Sequence, residues 1–594
     1  MPISGVVFWL TIVILAVTVM LLFFPHRTSK GTNRGRHGFR TAFAGLFTAG
    51  LLLHFPIYYT EYADTRFSCL DGLLSSLHHT LRMFVLDGEL EPIRRFAMEK
   101  AGTYATPYFI VAEIVYIAGP LLTFSVVLSF FKNISAYGRF YRHVFSKTCI
   151  FSELNERSLC LARSIKTHHP ETLIAFTDVY ADGTEASGEA QAAAAALGAV
   201  CFRQDIIALR LSFHKRTNAI RFFIIGTDED ENIRQSAQLI RRHGDNARME
   251  LYIFSDSVES SLLLQTMKTN GMKLRRISDT MALINEILYK EGQQLFENAA
   301  CGEDGEKVVS AVVLGMGGYG TEMLKALAWF GQMDGYRLMI TAIDLKKDAA
   351  ERFTFRCPEL MSSERNGVME AGEAQYSIEI HSGIDALSEQ CVEVLAKLPT
   401  ITYCFAAMGD DRLNIEAAVW LREFCERRGF NPEIQALVYS SAFTDVFRNA
   451  TNFRGMPYHI HCVGSIRERY TEEVILTPTL EKEALARHLL WGDEDTFWRY
   501  EFNYRSSTAS ALHRRVKLLC KIPGAELPPE KRSAEDRDRL RLIEHRRWNS
   551  YMRTEGYRYS GSRDKKSRND LAKLHNDLVP FDQLTEAEKA KDDV

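Results

Sequence analysis

Six residues near the middle of the chain, Gly315-Met316-Gly317-Gly318-Tyr319-Gly320, make a Gly-x-Gly-x-x-Gly turn between the apolar run Val312-Val313-Leu314 and a helical pattern through Leu324. In such a turn the first glycine permits the tight bend, the second lets backbone approach a pyrophosphate, and the third lets helix pack on strand. The N–H groups at the helix start are then free to hold phosphate oxygens. Ile340-Thr341-Ala342-Ile343 reads as the next strand. It ends in Asp344, roughly 20 residues on, where a carboxylate can accept from ribose hydroxyls. The same negative charge disfavours a 2′-phosphate and hence NADP. Gly409 and Asp410, after the strand pattern Tyr403 to Ala407, are placed in the same pocket. The expected ligand is an adenine nucleotide, an NAD-type dinucleotide or a nucleotide second messenger.

The elements that position this turn recur. From residue 148 onward, short apolar strands alternate with polar-faced helices, which predicts doubly wound α/β units with parallel sheets. We expect one unit over 148–290 and another over 307–491, with the polar, glycine-containing stretch 291–306 as the junction. In the first unit the strand Cys149-Ile150-Phe151 is followed by Ser152-Glu153 rather than glycines, and a carboxylate there repels a pyrophosphate. We therefore assign the ligand to the second unit and read the first as a docking or dimerising element. Gly409-Asp410-Asp411 with Asn414-Ile415 echoes Gly226-Thr227-Asp228 with Asn232-Ile233, the mark of a spaced duplication.

On the strand order, Gly315 to Gly320, Asp344, and the Gly-Asp-Asp and Asn-Ile elements, about 340 residues of the chain resemble the TrkA-N or RCK family of nucleotide-binding domains. That resemblance implies Rossmann-like domains that pair, bind nucleotides or ions, and pass their occupancy to a membrane pore.

Before these units, residues 1–147 carry three stretches long enough to cross a bilayer of about 30 Å: 3–24, 41–59 and 107–131. Arg27, Lys30, Arg34, Arg36 and Arg40 follow the first. The positive-inside rule then predicts a multi-pass protein of the inner (plasma) membrane, with its N-terminus outside and its C-terminal domains cytoplasmic. In the intervening segment Leu73, Leu74, Leu77, Leu81 and Phe84 recur at helical spacing around His78 and His79. This reads as an interfacial helix or, more sharply, as a re-entrant pore helix. Glu113 lies inside the third span and is a candidate for an ion path, the plainer alternative being a carboxylate near enough to the outer interface to reach water. Thr-Val-Gly-Tyr-Gly, the potassium-filter sequence, does not occur between the spans.

The last segment, 492–594, shifts to charged helices with Pro523, Pro528 and Pro529 at a hinge. Glu544-His545-Arg546-Arg547-Trp548-Asn549 and Lys573-Leu574-His575-Asn576-Asp577-Leu578-Val579-Pro580-Phe581-Asp582-Gln583-Leu584 make this stretch resemble the ryanodine-receptor repeat (RyR) domain. Within it Trp548, Tyr551, Tyr557 and Tyr559 offer a stacking wall, and Arg546 and Arg547 offer phosphate contacts. The competing reading is a core tryptophan beside a solvated basic face.

A net charge of −3 over 594 residues gives no nucleic-acid footprint, and eleven scattered cysteines without Cys-x-x-Cys spacing point to free thiols rather than disulfides or metal. No Tyr-x-x-x-Lys, His-Glu-x-x-His or Gly-x-Ser-x-Gly set is present to assign a catalytic role. The expected protein is a non-enzymatic, channel-like homo-oligomer: three membrane helices, two doubly wound domains and a helical C-terminal domain, with a nucleotide-derived ligand controlling the spans. The alternatives are a membrane-anchored scaffold with a vestigial nucleotide fold and a membrane-tethered NAD-dependent oxidoreductase.

Overall fold

The structure, a computed structural model, describes residues 6, 9–14, 16–17, 34–65, 67–85, 87–100, 102–178, 188–211, 219–256, 260, 271–302, 305–370, 372–449, 452–453, 455–476 and 478–593. Most of the expected first span, 3–24, lies outside these residues. The chain divides into two compact units, one formed by Met1–Val144 with Thr177–Ala192 and Val200–Gln204, the other by Phe145–Phe176, Ala193–Ala199 and Asp205–Val594.

The first unit is helical: α1 (Arg34–Glu61), α2 (Ser68–Phe84), α3 (Glu91–Lys100) and α4 (Ala105–Arg142). Two stretches, Ala42–Glu61 and Ala105–Phe124, are long and apolar enough to cross a membrane. The helix α2 returns antiparallel along α1, because Gly72 abuts the backbone of Tyr58 and Tyr59 while Gly50 abuts Thr80 and Met83. Gly119 of α4 lies against Met83 and Phe84, and the Tyr108 hydroxyl donates to the Leu53 carbonyl at 3.0 Å. Helices α2 and α3 thus pack against α1 and α4.

Helix α2 turns its faces the opposite way from a helix of a water-soluble protein. Gly72, Ser76 and Thr80 are buried, whereas Leu70, Leu73, Leu74 and Leu81 are exposed. Small and polar residues let helices approach closely where the surrounding solvent is lipid. Polar groups meet inside the bundle: His54 is buried, with Nε2 at 2.7 Å from the Tyr116 hydroxyl and Nδ1 at 3.2 Å from the Thr80 hydroxyl. Glu113 instead stands exposed on α4, on the same outer side as the exposed Ile114 and Ile117.

The parallel strands form two sheets. In the first the order is β3-β2-β1-β4-β5-β6, from β1 (Thr148–Phe151), β2 (Leu173–Phe176), β3 (Val200–Cys201), β4 (Ile220–Ile224), β5 (Met249–Phe254) and β6 (Lys273–Ile277). The second repeats it with β8 (Lys307–Leu314), β9 (Tyr336–Asp344), β10 (Ser377–Ser382), β11 (Tyr403–Ala406), β12 (Glu433–Leu437) and β13 (Ile460–Val463), in the order β10-β9-β8-β11-β12-β13. A short antiparallel strand, β7 (Ala300–Cys301), pairs with β8. Both sheets follow the doubly wound order in which the crevice opens beyond the first strand, where the winding reverses. The central strands are apolar on both faces, as β8 and β11 illustrate by being buried almost throughout, because helices cover each side.

The repeated Asn-Ile elements work as glue in both sheets. Asn232 accepts from the Gly226 N–H at 3.0 Å and donates to the Phe254 carbonyl at 3.3 Å. Asn414 does the same between the Met408 N–H at 2.7 Å and the Leu437 carbonyl at 2.8 Å. Each ties the loop after the fourth strand to the fifth strand. Asp228 and Asp410 N-cap the helices that follow.

The C-terminal region is mostly helical, with α11 (Pro478–His488), α12 (Glu501–Leu519) and α13 (Ala534–Thr554), and its apolar residues share one core with the second sheet. Trp329 packs on Tyr551, and His513 Nε2 lies 2.8 Å from the Gln332 carbonyl. Arg553, fully buried, reaches Glu373 at 3.2 Å and Glu359 at 3.6 Å.

The register of β12 and β13 places Glu433 between His459 at 3.1 Å and His461 at 2.8 Å. Burial alone would raise the Glu433 carboxyl, but the His461 hydrogen bond and the His459 charge outweigh it and hold it below its ordinary value. The hydrogen bond to Glu433 raises His461 against its own partial burial. The His461 contribution is complete below the unfolded value of 6.5 and fades as pH rises through the raised folded value; that of Glu433 is present above 4.5 and fades as pH falls through its lowered one. Glu433→Gln should therefore lower the melting temperature more at about pH 5.5 than at about pH 8.5, measured by scanning calorimetry.

Candidate functional site

The glycine turn joins β8 to helix α8 (Gly318–Phe330), and two of its glycines are required by packing. Gly315 has φ +87°, and a Cβ on it would lie 2.6 Å from the Ala407 carbonyl oxygen. On Gly320 a Cβ would fall 1.7 Å from the Gly315 carbonyl oxygen. Gly317 is different. It is the helix N-cap in an ordinary extended conformation, it has no side-chain cap bond to offer, and a Cβ there would meet nothing within 4 Å. A Cβ on Gly318 would come no closer than 4.0 Å, to Thr280 Oγ1. The first N–H groups of α8 therefore open onto unfilled space, with the helix dipole behind them.

That space is a cavity of about 630 Å³ lined by three parts of the second unit of the fold. The first sheet contributes Asp256, Arg276, Ser278 and Thr280 from the ends of β5 and β6. The second contributes Met316, Gly317, Gly318, Glu322 and Lys325, together with Lys346 and, from helix α9 (Ala349–Arg356), Arg352 and Arg356. From the C-terminal region come Arg505, Thr554, Glu555 and Lys573. Seven basic side chains face three acidic ones.

Several of the cations have partners. Arg505 sits 2.8 Å from Glu555, whose charge raises it; Lys325 is 2.7 Å from Glu322, and Arg276 bonds Glu501 at 2.6 Å. Lys346 and Arg356 have no ion-pair partner among the described residues. Burial raises the carboxyl of Asp256, one of the three acids lining the cavity, and so weakens it as a counter-charge. Uncompensated positive charge beside free helix N–H groups suits a ligand bearing several anionic oxygens.

Asp344 is not presented to this cavity. Its Oδ2 accepts from the Met316 N–H and its Oδ1 from the Lys346 N–H at 2.6 Å, so both oxygens hold the turn, and the residue is 8% exposed. Gly409 and Asp410 also stand apart from it, with Asp410 capping helix α10 (Asp411–Arg428) through the Arg412 and Leu413 N–H groups. In the first sheet the corresponding crevice is filled from within. Glu153 Oε2 accepts from the Thr227 N–H at 2.9 Å, Ser152 Oγ accepts from the Ile225 N–H at 3.0 Å, and Asn155 caps the helix.

Of the C-terminal candidates, Arg547 and Trp548 line a separate cavity of about 350 Å³. The other four are otherwise engaged. Tyr551 is buried against Trp329, Tyr557 stacks near Phe502, the Tyr559 N–H donates to Glu359 at 2.7 Å, and Arg546 is buried away from both cavities. Sequence reading missed Arg276, Lys346, Arg352, Arg356, Arg505 and Lys573. The pair Arg352 and Arg356, four apart on the helix after β9, was the one signal available, since that spacing puts both on one face.

No family model and no curated protein matches this chain.

Gly317→Asp should leave the ligand-free melting temperature unchanged or raise it, by up to about 1 kcal/mol of stability, because Asp is a good N-cap and adds negative charge among cations. Gly320→Ala should destabilise by about 1–3 kcal/mol, since its methyl overlaps backbone. Thermal melts of the two variants side by side check both.

Proposed function

We propose that this chain is a ligand-controlled membrane sensor, in which a nucleotide carrying at least two phosphates binds at the glycine turn and biases the membrane helices. The observation that carries the reading is Gly317: packing does not demand glycine there, whereas a phosphate needs that space. The surplus of basic side chains around it favours a polyphosphate over a neutral ligand. With Asp344 engaged in the turn, phosphate charge rather than ribose contacts carries recognition. Adenine nucleotides, NAD-type dinucleotides and nucleotide second messengers all belong to this class.

Membrane embedding is supported by the apolar stretches Ala42–Glu61 and Ala105–Phe124 and by the outward leucines of α2. The resemblance of the glycine-turn region to nucleotide-binding domains beneath potassium channels and transporters, and of the C-terminal region to RyR domains, favours control of permeability by a homo-oligomer. Glu113, outward on α4, reaches a conducting path only if several chains surround an axis. A ligand shifts such an equilibrium only through unequal affinity for two states, and the cavity has that capacity because both sheets and the C-terminal helices contribute to its wall. A scaffold role for the first sheet has its own support in the self-filled crevice at Glu153.

The test uses the full-length protein in lipid nanodiscs, screened by thermal shift against ATP, NAD and cyclic dinucleotides. At least one should raise the wild-type melting temperature, while Gly317→Asp removes the shift and Arg356→Gln weakens binding by about tenfold. The same compound should change ion release from proteoliposomes. A wild-type protein indifferent to every phosphorylated nucleotide, or a Gly317→Asp variant that still responds, overturns the reading.

A further inference from the structure

The second cavity lies within the C-terminal region, between α12, α13 and the end of α11, far from the glycine turn in sequence and different from it in chemistry. Its walls include Trp491, Phe502 and Trp548, with the Trp548 ring edge-on to His575 at 4.9 Å. Trp491 is 52% exposed. These rings give the cavity several π-faces, where Phe353 is the aromatic residue lining the glycine-turn cavity.

Beneath the rings is a buried charge cluster that does not balance. Glu544, only 3% exposed, receives Arg547 at 3.0 Å, Lys517 at 3.4 Å and the Ser510 hydroxyl at 2.9 Å. One carboxylate thus serves two cations, while a third, Arg487, also lines the cavity without an ion-pair partner among the described residues. Arg547 is 2% exposed, and its Nη1 has no hydrogen-bond partner; nor have Nε and Nη2 of Arg487. Of the cavity's other acids, Asp577 and Glu588 pair with Arg563, and Asp592 lies 3.2 Å from His545. Burial pulls Lys517 down to about 8, with Arg487 and Arg547 adding to the shift and Glu544 opposing it. The side chains of Arg487 and Arg547 at the cavity wall are the donors that an incoming oxyanion would meet.

We propose that this cavity is a second ligand site, which takes an aromatic heterocycle carrying one anionic group, a nucleoside monophosphate in chemical class, with the phosphate on Arg487 and Arg547 and the ring against Trp491 and Trp548. The volume of about 350 Å³ suits a ligand of that size and is smaller than the glycine-turn cavity. This site stands whether or not the glycine turn binds a nucleotide.

Isothermal titration of the full-length protein in nanodiscs with AMP tests it, with adenosine and inorganic phosphate as the two halves of the probe. AMP should bind more tightly than either half. Arg487→Gln and Trp491→Ala should each weaken it about tenfold or more, while Gly317→Asp leaves it unchanged. Trp491 is half exposed, so its truncation keeps the fold and decides the matter if Arg487→Gln does not fold. The proposal is overturned if AMP fails to bind, if it binds both variants as well as the wild type, or if Gly317→Asp abolishes it, which would move AMP to the other cavity. Retention of the polyphosphate response by Trp491→Ala separates the two sites.

Discussion

Basic side chains in excess of their counter-ions are the constraint that sets the character of the glycine-turn cavity. Lys346 and Arg356 are held near Lys325, Arg352 and Lys573 by the turn after β9 and by α9, with no acid assigned to either of them. Exposure to water makes this tolerable, since charges in high dielectric repel weakly. The positive end of α8 adds to the same field. An anion that enters gains from every one of these groups at once and displaces only solvent, so the arrangement is poised for association rather than for internal stability.

The repeated strand order was legible because each strand is a short apolar run bounded by turn residues, and that pattern survives in both halves. The glycine turn was legible too, although its residues divide by role: Gly315 and Gly320 satisfy packing, Gly317 and Gly318 leave room. Asp344 shows where sequence reading stops. A carboxylate at a strand end can accept from ribose hydroxyls or from the backbone of its own turn, and both uses have the same spacing; here the Met316 and Lys346 N–H groups take it. The basic wall was not legible, because Arg276, Arg505 and Lys573 are brought to Gly317 only by packing between elements distant in the sequence. The absence of glycines at Ser152 and Glu153 did announce a different fate for the first crevice. That Glu153 fills the crevice by bonding Thr227 needed coordinates.

Helix α2 makes a related point about solvent. Its leucine periodicity identifies a helix, but periodicity does not say which face turns inward, because that depends on whether water or lipid is outside. In α2, Gly72, Ser76 and Thr80 are buried together with Met83 and Phe84, Leu73 and Leu74 are exposed, and the His54–Tyr116 contact lies inside the bundle. Helix α2 packs along α1 and against α4.

Helix α13 connects the two cavities physically. Its end, at Thr554, borders the glycine-turn cavity, and Glu544, Arg547 and Trp548, two to three turns earlier, border the other. The buried pairs of Arg553 with Glu373 and of Glu544 with Lys517 of α12 fix this helix to its surroundings on both sides. An ordering of either cavity that shifts or stiffens α13 is therefore felt at the other, and linkage requires that the effect be equal in both directions. Buried ion pairs suit such a role, because they cost stability to assemble yet lose strongly when geometry drifts, so they favour discrete arrangements over gradual deformation. The first sheet enters the same network through Arg276, which reaches both Glu501 of α12 and the wall of the glycine-turn cavity. One helix bordering two cavities, with charged side chains held along its length, is a means by which occupancy at one place would become a condition of binding at another.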